Sequence, residues 1–151
     1  MYILTADPGR TTGLAWFSLH GTTAKMEWTD ALDDAGVFRR LRGHKPDVVV
    51  IERITSTARE GQAITDWLQG YAVQHQAKIV WQRPVDCVGF REFAKRYVTG
   101  IPARRRPHCQ DAVAHGLLYL RRVYNVFVIG VLGPTEETDG SVDGRRATGS
   151  P

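Results

Sequence analysis

The sequence lacks the features that mark secreted, disulfide-rich and membrane-spanning proteins. Its 151 residues include only two cysteines, Cys87 and Cys109, which are too few for a disulfide framework and are expected to be free thiols. The longest run of large apolar residues, 126–132, is much shorter than the ~20 residues of a membrane helix. No basic and apolar leader opens the chain. We therefore expect no membrane partner and a cytoplasmic location.

Lysine is also scarce, because sixteen of the twenty basic residues are arginine. This bias also suits a G+C-rich coding sequence, so the basic content alone does not indicate nucleic-acid binding. The distribution of charge is more informative. Basic and acidic residues balance over 1–82, nine basic residues face three acidic ones over 83–132, and acids prevail over 133–151. One third of the chain therefore carries the positive charge, as expected of a surface that binds a polyanion.

Three β-prone segments open the chain and predict a β-meander. The strands are expected at 2–6, 14–19 and 22–28, with turn-forming residues between them. Asp30 is a plausible N-cap for a helix over about 31–42.

The rest of the chain predicts alternating strands and helices. The β-branched run at 48–51 is typical of a strand buried on both faces, and 78–82 is a further strand. Helices are expected over about 62–76, 86–97 and 108–124, joined by a polar loop at 55–61 and a basic loop at 99–107. The pattern predicts one α/β domain over 1–132 and a disordered polar tail over 133–151. Residues 126–132 are compatible with a last strand, a partner contact or a frayed helix end.

Three acids stand at places where an α/β sheet forms a ligand site. Asp7 and Glu52 each end a predicted strand, and the carboxyl ends of neighbouring parallel strands lie about 4.8 Å apart. Asp111 lies in the first turn of the last helix, with His108 on the same helix face. Converging oxygen ligands of this kind suit Mg²⁺ or Mn²⁺. Each residue alone also has a structural explanation as a turn, ion-pair or capping residue. Only the four residues together indicate a metal site.

The three segments that carry these acids resemble a known family. Residues 3–13, with Asp7-Pro8-Gly9 and Gly13, are similar to the opening segment of RuvC-like Holliday-junction resolvases, which belong to the RNase H-like superfamily. The run 48–52 resembles the second acidic strand end of these enzymes, and 108–112 resembles their closing His-x-x-Asp-Ala helix start. The resemblance covers about 2–124, and the small size is most similar to the bacteriophage members, which act in the bacterial host cytoplasm and its nucleoid.

The resemblance implies both a fold and a mechanism. The fold would be RNase H-like, with a mixed five-stranded sheet, made of a β-meander and two parallel strands, flanked by helices. Asp7 would bridge two Mg²⁺ ions, Glu52 and Asp111 would each hold one ion, and His108 would act as a fourth ligand or a proton carrier. Hydrolysis of the scissile phosphodiester would leave 5′-phosphate and 3′-hydroxyl ends. One turn further along this face lies His115, which we expect to be a hydrogen-bonded neutral side chain.

Substrate contacts are expected from the basic third of the chain and from the first turn. Arginine binds phosphate oxygens in a bidentate manner, and a solvated basic face is the structural alternative. The residues predicted to contact DNA are Arg10, Thr11, Thr12, Arg83, Arg104, Arg105 and Arg106.

Resolution of a junction needs two symmetric nicks and hence a two-fold dimer. The predicted helix 62–76 occupies the position of the dimer-forming helix in the resembling family, so its apolar stripe of Ile64, Trp67, Leu68 and Tyr71 is the predicted dimer interface. Packing of this stripe on the sheet is the alternative. Bacterial resolvases place an aromatic residue in the loop after the strand-end Glu, whereas 53–57 contain none here. Because that stacking contact is absent here, the pattern predicts nuclease chemistry but not strict selectivity for junctions.

The sequence favours a metal-dependent endonuclease that resolves Holliday junctions in branched DNA and acts as a homodimer. An RNase H-like nuclease for RNA–DNA hybrids or simple branches is the nearest alternative. A non-catalytic nucleic-acid-binding module would not need all three acids. An actin-like or sugar-kinase-type ATPase would need a second domain and a second phosphate loop, for which the chain is too short.

Overall fold

The structure, a computed structural model, describes residues 1–54 and 61–131. Its strands are β1 (Tyr2–Asp7), β2 (Thr12–His20), β3 (Thr23–Leu32), β4 (Val48–Glu52), β5 (Lys78–Gln82) and β6 (Val128–Val131). Its α-helices are α1 (Asp34–Leu41), α2 (Gln62–Gln74), α3 (Val88–Ala94) and α4 (Arg106–Tyr124), and the short 3-10 helices Pro84–Cys87 and Lys95–Tyr97 flank α3. None of the helices in these ranges combines the length and apolar content needed to cross a bilayer. Most of the predicted loop after Glu52 and all of the predicted tail lie outside the described residues.

The strands form one sheet in the order β5-β4-β1-β2-β3-β6. The first three strands make an antiparallel meander, and β4 and β5 extend it with parallel pairing on the β1 side. This confirms the predicted mixed sheet of a meander plus two parallel strands. At the other edge, β6 adds a sixth strand parallel to β3, which settles the assignment that the sequence left open for 126–132.

The predicted boundary between the third strand and the first helix is wrong. Asp30 does not cap a helix but lies within β3, opposite Leu14 of β2. The ladder with β2 extends as far as Leu32, so pairing between strands overrides the local capping pattern. The true N-cap is Asp33, whose Oδ1 accepts a hydrogen bond of 2.8 Å from the Gly36 amide.

Helices cover both faces of the sheet, and alternate residues of each strand point to opposite sides. The α4 face is the side covered by α3 and α4, and the α2 face is the side covered by α1 and α2. In β4, Val48 and Val50 pack on the α4 face, whereas Val49 and Ile51 pack on the α2 face. All four side chains are buried, which confirms that this strand has no solvent-exposed face.

Helix α4 lies unusually close to the sheet because two glycines remove the bulk between them. A Cβ atom on Gly13 would lie 2.0 Å from the carbonyl oxygen of His108, and one on Gly116 would lie 2.1 Å from the ring of Phe17. The hydroxyl of Thr5 on β1 donates a 2.6 Å hydrogen bond to the carbonyl oxygen of Ala112. These contacts determine the height and rotation of α4 over β1, and so the positions of the side chains in its first turns.

Candidate active site

The carboxyl ends of three parallel strands bring polar side chains to the α4 face. Asp7, Glu52 and Gln82 end β1, β4 and β5 in that order. Each follows by two positions a residue that faces α4, so the alternation of the strands turns all three toward that helix. Glu52 and Gln82 are register partners, and β1 ends beside β4. The ends of the strands therefore form one polar row beneath α4.

Helix α4 supplies a second row of side chains above the strand ends. The Nδ1 atom of His108 lies 3.4 Å from Oδ2 of Asp7, and 40% of the His108 side chain is exposed. Asp111 is half-buried and its charge acts on Asp7. His115 is completely buried, with Nε2 2.5 Å from Oε2 of Glu52 and Nδ1 2.6 Å from Oε1 of Gln82. The expectation of a hydrogen-bonded His115 is confirmed, and its partner is one of the predicted metal ligands.

The nearby positive side chains do not fully offset the negative charge of the acids in this site, so the carboxyl pKa values are raised. Burial, together with the charges of Glu52 and Asp111, raises the pKa of Asp7 to about 7, although His115 and Arg91 oppose the shift. Burial also raises the pKa of Asp111, against the opposing charge of Arg91 and with a contribution from Glu52. Clustered carboxylates that resist ionisation in this way are a donor set that suits a hard divalent cation. The chemistry of the predicted ligands therefore fits Mg²⁺.

The four predicted ligands gather at one end of the sheet, but they are not the tightest ligand set in the described part of the chain. That set consists of Glu52, Cys87 and His115, whose ligand atoms all lie within 4.8 Å of one another. The sulfur comes from the 3-10 helix that precedes α3, an element to which the sequence assigned no site residue.

The pairing of Arg91 on α3 with Asp111 was not predicted, although its Nε lies 2.6 Å from Oδ1 of that acid. The N–H is poorly aligned with this oxygen, so the contact is an ion pair rather than a hydrogen bond. The Gln110 amide donates a 2.9 Å hydrogen bond to the carbonyl oxygen of Arg91, which ties α3 to α4 beside the acid. Strand alternation could have identified Gln82, whereas the placement of Arg91 depends on long-range packing of α3 for which no local pattern exists.

The predicted DNA-contacting residues of the first turn and of β5 differ in accessibility. Arg10 is exposed and Thr11 is half-buried. Thr12 is fully buried, and its hydroxyl donates to a carbonyl oxygen three residues earlier at 3.3 Å. The Thr12 side chain therefore closes the turn, and the DNA contact expected at this residue stays a prediction. Arg83 is exposed and forms a 3.0 Å ion pair with Asp86.

The three consecutive arginines lead into α4 as predicted, although the helix already begins at Arg106. Arg106 donates hydrogen bonds of 3.0 and 3.3 Å to the carbonyl oxygen of Ile101. Arg105 lies 3.7 Å from the carboxylate of Asp30. Arg104 is exposed, and its side chain has no hydrogen-bond or ion-pair partner among residues 1–54 and 61–131. Of the three, it is the arginine with the most freedom to meet a phosphate.

The stripe predicted as a dimer interface mainly belongs to the core of this chain. Ile64, Leu68 and Tyr71 are buried on the α2 face, and the Tyr71 hydroxyl donates a 2.7 Å hydrogen bond to the carbonyl oxygen of His44. Side chains buried in this way cannot also contact a partner, so their assignment to the interface is corrected. Trp67 is partly exposed and packs at a tilt against the exposed Phe38, with 4.6 Å between ring centroids.

Comparison with solved structures places the fold beside that of a poxvirus enzyme. The Holliday junction resolvase of fowlpox virus superimposes with a TM-score of 0.66 at 18% identity, covering 82% of this chain and 100% of that protein. The same resolvase in complex with substrate Holliday junction DNA superimposes with a TM-score of 0.65 at 18% identity, covering 81% and 98% of the two chains. No protein-family model and no curated protein sequence matches the chain. The likeness confirms the predicted α/β arrangement of a mixed sheet flanked by helices.

Proposed function

We propose that this chain is a metal-dependent endonuclease that cuts branched DNA and resolves Holliday junctions by paired phosphodiester hydrolysis, leaving 5′-phosphate and 3′-hydroxyl ends. The observation that carries the proposal is the half-buried carboxylate cluster around Asp7, at the strand ends of a fold shared with a resolvase. The basic segment that leads into α4 supplies the charge that a DNA backbone requires.

In this proposal, Asp7, Glu52, Asp111 and His108 hold two Mg²⁺ ions, for which Mn²⁺ can substitute. When bound, such ions neutralise the phosphate charge and activate water for in-line attack. The protein keeps its carboxylates in position through contacts of its own. Arg91 orients Asp111, and the 2.5 Å contact between Nε2 of His115 and Oε2 holds Glu52 in place. His108 is partly exposed beside Asp7, where it can exchange a proton with solvent.

The nuclease proposal is tested by incubating the protein with labelled four-way junctions, flaps, linear duplex and RNA–DNA hybrid, with and without Mg²⁺. We expect paired symmetric nicks in junctions that require the metal. Asp7→Asn should lower the cleavage rate by at least ~100-fold, because it removes a central charge of the site. Asp66→Asn, the same change at an exposed residue of α2, is the matched control and should cut normally.

Three outcomes would contradict the proposal in different ways. Absence of cutting with either Mg²⁺ or Mn²⁺ would reject a nuclease. Cutting of hybrid but not of junctions would identify the RNase H-like alternative. Tight junction binding without cutting would identify a non-catalytic binding module.

The proposed DNA contact is tested separately with Arg104→Ala. Each phosphate contact contributes about 0.9 to the slope of log affinity against log salt concentration. Loss of the Arg104 contact should therefore weaken junction binding and reduce the magnitude of that slope by about 0.9. Arg39→Ala, at an exposed position on α1, should change neither quantity. An unchanged slope in the Arg104 variant would reject the contact.

Paired nicks require two sites, so the proposal includes a homodimer. Since most of the α2 stripe is buried, we place the contact at the exposed aromatic pair of Phe38 and Trp67. Sedimentation should give twice the monomer mass for the wild type and a lower mass for Trp67→Ala. Phe93→Ala, at an exposed aromatic residue of α3, is the control. A monomeric wild type would reject the dimer, and a dimeric Trp67 variant would reject this interface.

A further inference from the structure

A buried thiol, that of Cys87, lies beside the polar row at the strand ends. Cys87 ends the 3-10 helix that precedes α3, and its sulfur, a Glu52 carboxylate oxygen and a His115 ring nitrogen all lie within 4.8 Å of one another. Cys87 and His115 are completely buried, whereas 15% of the Glu52 side chain is exposed. A cation could therefore reach this set from the open side of the active site, past Glu52. The mechanism proposed above makes no use of the thiol.

The histidine of this set is already oriented as a metal ligand would be. Its Nδ1 lies 2.6 Å from Oε1 of the buried Gln82, and its Nε2 faces Glu52. Histidines that bind metals usually donate their second ring N–H to an oxygen acceptor, which fixes the ring and the tautomer. Gln82 supplies that acceptor here. This contact is an observation independent of the cysteine and points to Nε2 as the ligand atom.

We propose that Glu52, Cys87 and His115 form a zinc site, and that bound Zn²⁺ inhibits the enzyme by withdrawing Glu52 from the nuclease centre. A thiolate, an imidazole and a carboxylate are the donors that zinc accepts, with a fourth position open to water. Mg²⁺ prefers oxygen ligands alone, so the sulfur ligand makes this site selective for Zn²⁺ over Mg²⁺. Zinc binding stands on the geometry of the three residues, whereas inhibition rests on the proposed nuclease function.

Binding requires a small movement and the release of the thiol proton. Zinc at normal bond lengths separates its nitrogen and oxygen ligands by about 3.3 Å, so the 2.5 Å contact between Nε2 and Oε2 must open by less than ~1 Å. The Zn–S bond replaces the S–H bond, whose proton passes to solvent, and the Zn–N bond forms at the Nε2 lone pair while the single ring proton stays on Nδ1, donated to Gln82.

Cadmium is a suitable probe, because a thiolate–Cd²⁺ bond gives an ultraviolet charge-transfer band. We expect this band in the wild type and in Cys109→Ala, whose thiol is equally buried but belongs to no ligand set within the described residues. The band should be absent from Cys87→Ala. Zinc should displace the cadmium, and its apparent affinity should fall at least ~10-fold in Cys87→Ala, since even outer-shell changes typically cost 10–100-fold. If the alanine variant does not fold, Cys87→Ser replaces it.

Loss of the band in Cys109→Ala, its persistence in Cys87→Ala, or its absence from the wild type would overturn the zinc site. The inhibitory role is measured as the zinc concentration that halves junction cleavage in Mg²⁺, each variant being compared with its own zinc-free rate. We expect this concentration to rise at least ~10-fold in Cys87→Ala. Equal sensitivity of the variant and the wild type would overturn inhibition through this site. Because the cadmium band is measured without substrate, it tests the zinc site even if the protein cuts no DNA.

Discussion

The two faces of the sheet receive alternate residues of the same strands but differ in what the strands deliver at their carboxyl ends. On the α2 face, β1 and β4 end in the apolar pair of Ala6 and Ile51, which are fully buried. On the α4 face, the next residues, Asp7 and Glu52, are carboxylates. Adjacent residues of the same strand thus serve different roles, one packing in the apolar core and the next supplying a carboxylate to the candidate site. Stability and activity should respond to different substitutions according to the face that they alter.

The largest expected effect is on the α2 face, from Leu68→Ala. Leu68 is completely buried among apolar neighbours, so its truncation should lower the free energy of unfolding by about 2–5 kcal/mol. Chemical denaturation measures this loss. Cleavage per folded molecule should remain at the wild-type level, because no catalytic side chain lies on this face. A selective loss of cleavage in fully folded protein would show that the two faces are not separable.

The next largest effect is expected from a glycine on the α4 face. Gly13→Ala places a Cβ atom 2.0 Å from the His108 carbonyl oxygen, so α4 must move away from β2. We expect a loss of about 1–3 kcal/mol in stability, together with slower cleavage, because His108 and Asp111 move with the helix.

Gly70→Ala on α2 is the matched control for this substitution. Nothing lies within 4 Å of a Cβ atom at Gly70, so alanine should stabilise the helix by up to about 1 kcal/mol and leave cleavage unchanged. If Gly13→Ala is as stable and as active as the wild type, the close approach of α4 does not position the site.

The same contrast explains which features the sequence could predict. The strands and their alternation are local, so the meander, the buried run at 48–51 and the convergence of Asp7 with Glu52 followed from residue patterns. The end of β3 did not, because the ladder with β2 outweighs the capping preference of Asp30. The stripe of α2 was ambiguous for another reason, since an apolar helix face looks the same whether a sheet or a partner covers it.

The components of the site that the sequence missed come from elements whose position depends on distant packing. Arg91 and Cys87 reach Asp111 and Glu52 only because α3 and its preceding turn pack on α4. By contrast, Gln82 shares the alternation of β5 and could have been assigned to the α4 face beforehand. The period-two pattern of a strand therefore predicts which face a strand residue lies on, whereas the position of a residue on a short helix can be known only from the tertiary structure.

The smallest expected effect is a gain of stability in Asp7→Asn. The folded-state pKa of about 7 exceeds the ordinary value of 3.8, so folding favours the protonated carboxyl. Well below pH 3.8 both states are protonated and Asp7 has no unfavourable effect. As the pH rises toward 7, the unfolded chain ionises freely while the folded site resists ionisation, so the unfavourable contribution grows and levels off above pH 7. Screening by solvent leaves a gain on the order of 1 kcal/mol for the variant at pH 8.

Denaturation in EDTA at pH 4, 6 and 8 measures this gain, with Asp66→Asn on α2 as the control. The gain should be small at pH 4, increase through pH 6 and reach its maximum at pH 8, whereas the control should show no such trend. Added Mg²⁺ should stabilise the wild type more than the variant, because the ion binds the carboxylates whose repulsion it relieves. An equal gain at pH 4 and pH 8 would mean that the repulsion among Asp7, Glu52 and Asp111 does not oppose folding. The α4 face would then differ from the α2 face in chemistry but not in stability.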